Sequence, residues 1–236
     1  MRKGPELRPV GDVPGAFASV IIDTFAHRVG ERFVMFLSGG PTARACYERL
    51  AEAGAEVIDW SLVDVYMGDE RLVAPDDPDA NQRLVREALL DRVGRVGSFT
   101  PMPTDGDPVT CATRYAAVVS QVLEGPGVDV IHLGMGPDGH TASLFPGAPS
   151  LEAGTEELVV ATVDPNGGNP HPRLSLTLPA IDQARLVVFT VAGSAKRRAV
   201  ALLRSGEEIP AARVRAKEVR WLVDADALGR VEEVAT

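Results

Sequence analysis

Hydrophobic positions along this chain follow two alternating rhythms. In residues 13–29, Phe17, Val20, Ile21, Phe25 and Val29 recur at helical spacing behind a D-V-P-G turn, which predicts an amphipathic helix. Residues 32–37 form a short, continuous apolar run, the pattern of a buried strand, broken by Ser38-Gly39-Gly40. Residues 41–53 then read as a helix with Gly54 as its stop. The same alternation continues to the end of the chain. Strands are expected at 59–67 (led by Trp60), 98–102, 128–133, 158–163, 186–191 and 219–223, the last containing Trp221. Helices are expected at 81–93, 108–123, 179–184 and from Lys196 through Leu203. Residues 173–178, R-L-S-L-T-L, alternate apolar with polar side chains, and with the Pro/Gly/Asn loop at 164–172 they read as a cover over a pocket. No repeat, linker or low-complexity segment interrupts the series. The pattern therefore predicts one α/β domain over residues 1–236, a three-layer α/β/α Rossmann-like fold with a mainly parallel sheet.

Composition narrows the class. With 236 residues, 45% of them hydrophobic, the chain can bury a substantial core, and at 5% aromatic that core is expected to lean on Val, Leu, Ala and Ile. A net charge of −9 argues against nucleic-acid or anionic-membrane partners, although locally converging cations could still hold a small anion. Cys46 and Cys111 fit no metal spacing and are expected as reduced thiols. Residues 1–10 are polar and lack an apolar signal core, and no apolar run reaches membrane-spanning length, so a cytoplasmic protein is expected, a monomer or weak homo-oligomer.

Candidate chemistry gathers where strands end. Residues 134–146, G-M-G-P-D-G-H-T-A-S-L-F-P, leave a strand through Gly134, Gly136 and Gly139 and present Asp138 and His140 two residues apart. Glycines there allow a sharp turn, and an acid beside a histidine suits acid–base work. A short helical turn is expected from Thr141. Backbone N–H groups of the glycine turn offer a way to stabilise an oxyanion. Gly39-Gly40, between a strand and a helix, fits either a phosphate cradle or a plain tight turn, and Pro41 removes one donor from any cradle. Arg71, in G-D-E-R at 68–71, fits either a surface ion-pair cluster or a phosphate clamp. Lys196 opposes the dipole of the helix it begins, which an anion nearby would explain and which solvent exposure would also permit. His132, inside a strand, reads as a packed structural histidine, and Asn81 as a helix cap.

Together these stretches resemble the 6-phosphogluconolactonase family. The resemblance covers residues 12–228 and rests on L-S-G-G at 37–40, G-D-E-R at 68–71 and D-V-I-H-L-G-M-G-P-D-G-H-T-A-S-L-F-P at 129–146. It extends through P-H-P-R-L-S-L-T-L-P at 170–179, G-S-A-K at 193–196 and W-L-V-D at 221–224. The resemblance implies hydrolysis of 6-phosphoglucono-δ-lactone without a metal or organic cofactor, on a Rossmann-like fold with no bound dinucleotide. Consistent with that, no G-x-G-x-x-G follows the first strand. It further implies His140 as the base that activates water, Asp138 as its orienting acid, and Gly39, Gly40, Arg71, Arg173 and Lys196 as substrate and phosphate contacts. Two departures stand out: Pro41-Thr42-Ala43 replaces the usual S-T-P, and Ala80 replaces the usual Ser before Asn81.

Two other readings share this scaffold. An amino-sugar-phosphate deaminase/isomerase needs a further carboxylate, which such relatives carry in F-N-E-P after the histidine; here Leu144-Phe145-Pro146 stands in its place. A non-catalytic sugar-phosphate-binding regulator would need the cations but not the base. A serine nucleophile is the rival mechanism, with Ser143 three residues from His140, yet no G-x-S-x-G elbow occurs.

Overall fold

The central strands are hydrophobic on both faces, and that dictates their environment. In a computed structural model, which describes residues 4, 5, 7, 9–168 and 170–229, all five side chains of β1 (Phe33–Leu37) are buried. Such a strand is stable only when layers cover both sides, as in a parallel sheet flanked by helices. β1 is central in a six-stranded, wholly parallel sheet of order β4-β2-β1-β5-β8-β9. The other members are β2 (Val63–Met67), β4 (Ser98–Thr100), β5 (Val130–Gly134), β8 (Leu186–Val191) and β9 (Glu218–Val223). The fold is a three-layer α/β/α sandwich. Part of the polar stretch 1–10, one residue of the loop at 164–172 and residues 230–236 lie outside the described residues.

The strand order places a reversal beside β1. The chain steps from β1 to β2 and β4 on one side, then returns to β5, β8 and β9 on the other. At such a switch point the connections leave in opposite directions and open a crevice at the carboxyl ends of the two central strands. The loops after β1 and β5 are those at Ser38-Gly39-Gly40 and at 134–146.

Helices follow the expected order, with shifted ends. Helix α1 (Val13–Ala26) is capped by Asp12, whose side chain accepts from the Gly15 N–H at 3.1 Å. It stops short of Val29, which is 82% exposed, because the chain must turn there to enter β1. Helix α2 (Pro41–Gly54) packs against α1. The expected helix at 81–93 is three segments: α3 (Asn81–Val85), a π-helical turn (Arg86–Leu90) and α4 (Asp91–Val93). Trp60 does not lead β2 but sits in a 3₁₀ turn, Trp60–Leu62, ahead of it. Helix α5 (Pro108–Glu124) matches expectation to within a residue. Later come α6 (Leu178–Ile181), α7 (Arg197–Ser205) and α8 (Ala225–Leu228).

Aromatic residues are scarce, yet they contribute more of the core than composition suggests. Six of the seven phenylalanines are buried, and Tyr47, Tyr115 and Phe17 are among the largest fully buried side chains. Cys46 and Cys111 are both buried free thiols. No helix among the described residues is long and apolar enough to cross a membrane.

A second, antiparallel sheet of order β3-β7-β6 lies outside the sequence expectation. It joins β3 (Asp69–Arg71), β6 (Val159–Thr162) and β7 (Arg173–Leu176). Residues 173–178, read above as a cover, thus begin with a fully buried strand. Its register pairs Asp69 with Ser175, Glu70 with Leu174 and Arg71 with Arg173.

Candidate active site

The carboxyl ends of β1, β5 and β8 surround a cleft of about 510 Å³. Gly39, Gly40, Arg71, His140, Arg173 and Lys196 all line it, so residues from five separated stretches converge there. Asp138 stands behind His140 rather than in the lining.

Gly39 and Gly40 are glycines for different reasons. A Cβ on Gly39 would lie 1.8 Å from Asn81 Oδ1, so the absence of a side chain permits a close approach. Gly40 has φ of +101°, a left-handed conformation that other residues resist. It is also the N-cap of α2, with no side-chain acceptor on the first-turn donors. Pro41 lacks an N–H, which leaves those of Thr42 and Ala43 at the mouth of the cleft. Thr42 keeps a hydroxyl on the lining despite the altered motif.

The loop after β5 is stitched to itself. The Gly136 N–H donates to the His140 carbonyl at 2.8 Å and the Gly139 N–H to the Gly136 carbonyl at 3.0 Å. These two donors are therefore spent inside the turn and are not open to an oxyanion, contrary to the sequence expectation. Thr141 donates its hydroxyl to the Gly134 carbonyl at 2.9 Å and bridges Leu144, so a β-bridge replaces the expected helical turn. A Cβ on Gly136 would meet the His140 ring at 2.2 Å, which is why the imidazole can lie on the backbone there. Ala142 holds φ of +46° on the cleft wall, the one non-glycine residue at positive φ among those described.

Asp138 lies against both the backbone and the ring of His140. Asp138 Oδ1 accepts from the His140 backbone N–H at 3.1 Å and lies 2.6 Å from His140 Nδ1. A carboxylate at Nδ1 holds the proton there and leaves Nε2 as a lone pair. The ring rests on buried Phe145, with centroids 4.7 Å apart. Phe145 belongs to the Leu144-Phe145-Pro146 stretch that stands in place of the deaminase motif's acid.

Two arginines face each other across β3 and β7. Arg71 and Arg173 are direct register partners, a placement that like charges ordinarily destabilise. Their Nε atoms are both buried without a hydrogen-bond partner. Arg71 donates from Nη1 to the Asp79 carbonyl. Arg173 is 6% exposed, lies over Phe145 with 5.4 Å from Cζ to the ring centroid, and reaches Ser143 Oγ at 3.4 Å. Burial and then the Arg71 charge push the Arg173 guanidinium below its ordinary pKa, with Asp69 opposing. A buried and a half-buried cation side by side, each with an unsatisfied buried Nε, are the electrostatic signature of an anion site. Lys196 adds a third charge from the 3₁₀ turn Ser194–Lys196 that precedes α7. It is the N-cap of that helix rather than a residue within it. Burial lowers its pKa while Asp138 raises it.

Sequence reasoning missed Asp69. It is 5% exposed, lines the cleft and accepts the Ser143 hydroxyl at 2.8 Å. The period of a strand was the available signal, since Asp69 and Arg71 share one face while Glu70 takes the other. Ser143 is fully buried and its proton goes to Asp69, so it is not poised as a nucleophile activated by His140. Asn81 is also on the lining and is the first helical residue, not the cap; its Nδ2 donates to the Asp69 carbonyl at 3.0 Å.

Glu70 explains how α3 tolerates Ala80 at its cap. Ala80 offers no side-chain acceptor, and Glu70 instead receives the N–H groups of Arg71, Asn81 and Gln82 at 2.7–2.8 Å. Burial raises its carboxyl pKa to about 7 against the pull of those donors. A carboxyl raised above its unfolded value binds more protons in the folded state, so its contribution to stability falls as pH rises from about 4.5 to about 7. Relative to Glu70→Gln, the wild-type protein should therefore lose stability between pH 4.5 and pH 7.5, by on the order of 2 kcal/mol, in urea melts at each pH. A pH-independent difference would contradict the titration of Glu70 in this range.

No group of three or more potential metal ligands occurs among the described residues. The family described as glucosamine-6-phosphate isomerases/6-phosphogluconolactonase matches residues 13–223. A 6-phosphogluconolactonase of Synechocystis is 41% identical over 203 residues, covering 81% of each chain. One from Nostoc is 37% identical over 218 residues, covering 87% of each. Among solved structures, the 6-phosphogluconolactonase of Thermotoga maritima superposes with a TM-score of 0.79 at 28% identity, covering 93% of this chain and 98% of its own. With an α/β/α frame, a histidine held by an aspartate at the switch point, and matches across nearly the whole length, this chain belongs to the glucosamine-6-phosphate isomerase/6-phosphogluconolactonase family.

Proposed function

We propose that the protein hydrolyses 6-phospho-D-glucono-1,5-lactone to 6-phospho-D-gluconate, the lactonase step of the oxidative pentose phosphate pathway, with His140 as general base. The observation that carries this reading is the pairing of two facing arginines, each with a buried unsatisfied Nε, with an aspartate-held histidine on one cleft. A phosphate at Arg71, Arg173, Lys196 and the N–H groups at the start of α2 would anchor the substrate at one end. The lactone carbonyl would then lie within reach of His140.

His140 Nε2 takes a proton from water as the water oxygen bonds to C1. The tetrahedral intermediate collapses with breakage of the bond from C1 to the ring oxygen, and that oxygen receives the proton from Nε2. The free acid then ionises and releases one proton to solvent. Asp138 holds Nδ1–H and stabilises the transient imidazolium. Lactones are activated esters, so one base and fixed positioning meet most of the demand.

A covalent serine route is disfavoured because Ser143 is buried and bonded to Asp69. Ser143→Ala is accordingly expected to retain turnover within about tenfold of wild type, as loss of a hydrogen bond to Asp69 outside the reacting atoms implies. A complete loss measured on folded protein would revive the covalent route. For the deaminase/isomerase reading, the apolar stretch Leu144-Phe145-Pro146 in place of the extra acid speaks against proton transfer at C2. The two functions separate when the protein is given each substrate in turn. Enzyme-dependent decay of the lactone, with no ammonia released from glucosamine 6-phosphate, supports the proposal; ammonia release without lactone decay overturns it.

A further inference from the structure

A closed polar network lies directly beneath the anion loop, and the hydrolytic step uses none of it. Tyr47 reaches back from α2 to Ser38: its hydroxyl lies 2.9 Å from the Ser38 N–H and 2.8 Å from the Ser38 carbonyl. On its third side stands His132 Nδ1 at 2.8 Å. His132 Nε2 lies 2.8 Å from Thr190 Oγ1, and Ser38 Oγ donates to the His132 carbonyl at 2.8 Å. Tyr47, His132, Ser38 and Thr190 are all buried, and Phe17 covers the imidazole with centroids 4.3 Å apart.

Counting hydrogens assigns every bond. A phenol carries one proton and can accept twice. If that proton went to His132, the Tyr47 and Ser38 oxygens would face each other at 2.8 Å with nothing between them. The proton therefore goes to the Ser38 carbonyl, and the phenol oxygen accepts from the Ser38 N–H and from His132 Nδ1–H. His132 Nε2 is left as acceptor for the Thr190 hydroxyl. Burial pushes the His132 pKa down to about 3, so this neutral tautomer persists through the physiological range. Each hydroxyl, ring nitrogen and Ser38 backbone group in the cluster has a partner. Networks completed in this way rigidify what they hold.

What they hold here is the root of the phosphate loop. Ser38 is the last residue before Gly39 and Gly40, and Gly40 has no side chain to restrict its turn. The network also ties together β1, β5 and β8, the strands whose loops form the cleft, and both Ser38 and Thr190 line that cleft. We propose that Tyr47 and His132 are positioning residues for phosphate recognition: by clamping both sides of the Ser38 peptide they aim the N–H groups at the start of α2 at the anion. This role rests on reading the cleft as a sugar-phosphate site, and it is separable from the hydrolytic chemistry.

The test compares wild type with Tyr47→Phe, which keeps the ring and deletes only the hydroxyl. With 6-phospho-D-glucono-1,5-lactone, KM should rise about fivefold to tenfold while kcat stays within twofold; with unphosphorylated D-glucono-1,5-lactone, kcat/KM should be unchanged. Inorganic phosphate, titrated calorimetrically into each protein, should bind Tyr47→Phe correspondingly more weakly. Equal phosphate affinities, or the same fractional loss with both lactones, would overturn the proposal. If Tyr47→Phe does not fold, Thr190→Val cuts the far end of the chain of bonds; it should weaken phosphate binding in the same direction, with recovery in Thr190→Ser, and no change in Thr190→Val would overturn the proposal. A wild-type protein that binds phosphate but hydrolyses neither lactone would refute the lactonase reading instead, and the calorimetric comparison would still decide the positioning role.

Discussion

His140→Asn is expected to lower kcat for 6-phospho-D-glucono-1,5-lactone by about a thousandfold, within the range a general base supplies, while KM changes less than threefold. The expectation follows from one ring. Its Nδ1 is committed to Asp138 at 2.6 Å, and among the described residues its Nε2 has no hydrogen-bond partner. Asparagine keeps a polar group against Phe145 and leaves the glycine turn intact, so the loss would report the missing lone pair rather than a collapsed loop. Asp138→Asn should fall between wild type and His140→Asn, because it frees the imidazole to adopt the wrong tautomer without removing it. Initial rates over a range of lactone concentrations, corrected for spontaneous hydrolysis, give both parameters. Activity of His140→Asn within tenfold of wild type would remove His140 from the chemistry.

Arg173→Met is expected to separate binding from stability. With substrate, kcat/KM should fall about tenfold to a hundredfold, the worth of a charge-assisted contact to a phosphate. Without ligand the sign differs. Arg173 stands opposite Arg71 in register, buried, with its Nε unsatisfied, so the empty site carries a repulsion that methionine relieves. The ligand-free variant should therefore melt no lower than wild type, and millimolar phosphate, expected to raise the wild-type Tm, should raise the variant's far less. Such a trade of stability for recognition is common where function needs like charges together. Differential scanning calorimetry with and without phosphate reads both effects. A variant that keeps the full phosphate-induced shift would show that Arg173 does not hold the anion.

Much of this architecture is legible in the sequence because its determinants are local. The apolar runs that became β1, β5 and β8 needed no partner to be recognised, and the glycine spacing around Asp138 and His140 announced a turn bearing an acid and a base. What escaped is non-local. β3 has only three residues, Asp69, Glu70 and Arg71, and nothing apolar marks it as a strand until β7 pairs with it. For the same reason the sequence could nominate Arg71 and Arg173 separately but not their direct opposition. His132 read correctly as a packed histidine, yet its partners lie on α2 and β8, so the network beneath Ser38 has no sequence signature. The start of α3 falls at Asn81 as expected, but its cap comes from Glu70, which no scan of residues around Ala80 would nominate.

Phosphate-anchored lactone hydrolysis releases one proton per turnover at neutral pH, so acid production reports it. Freshly prepared 6-phospho-D-glucono-1,5-lactone is held at constant pH near neutrality by titration with base, with and without the protein. Acid release should be proportional to protein concentration, saturable in lactone, well above the spontaneous rate, and much less efficient with unphosphorylated D-glucono-1,5-lactone. Base consumption indistinguishable from the spontaneous rate at micromolar protein would contradict it.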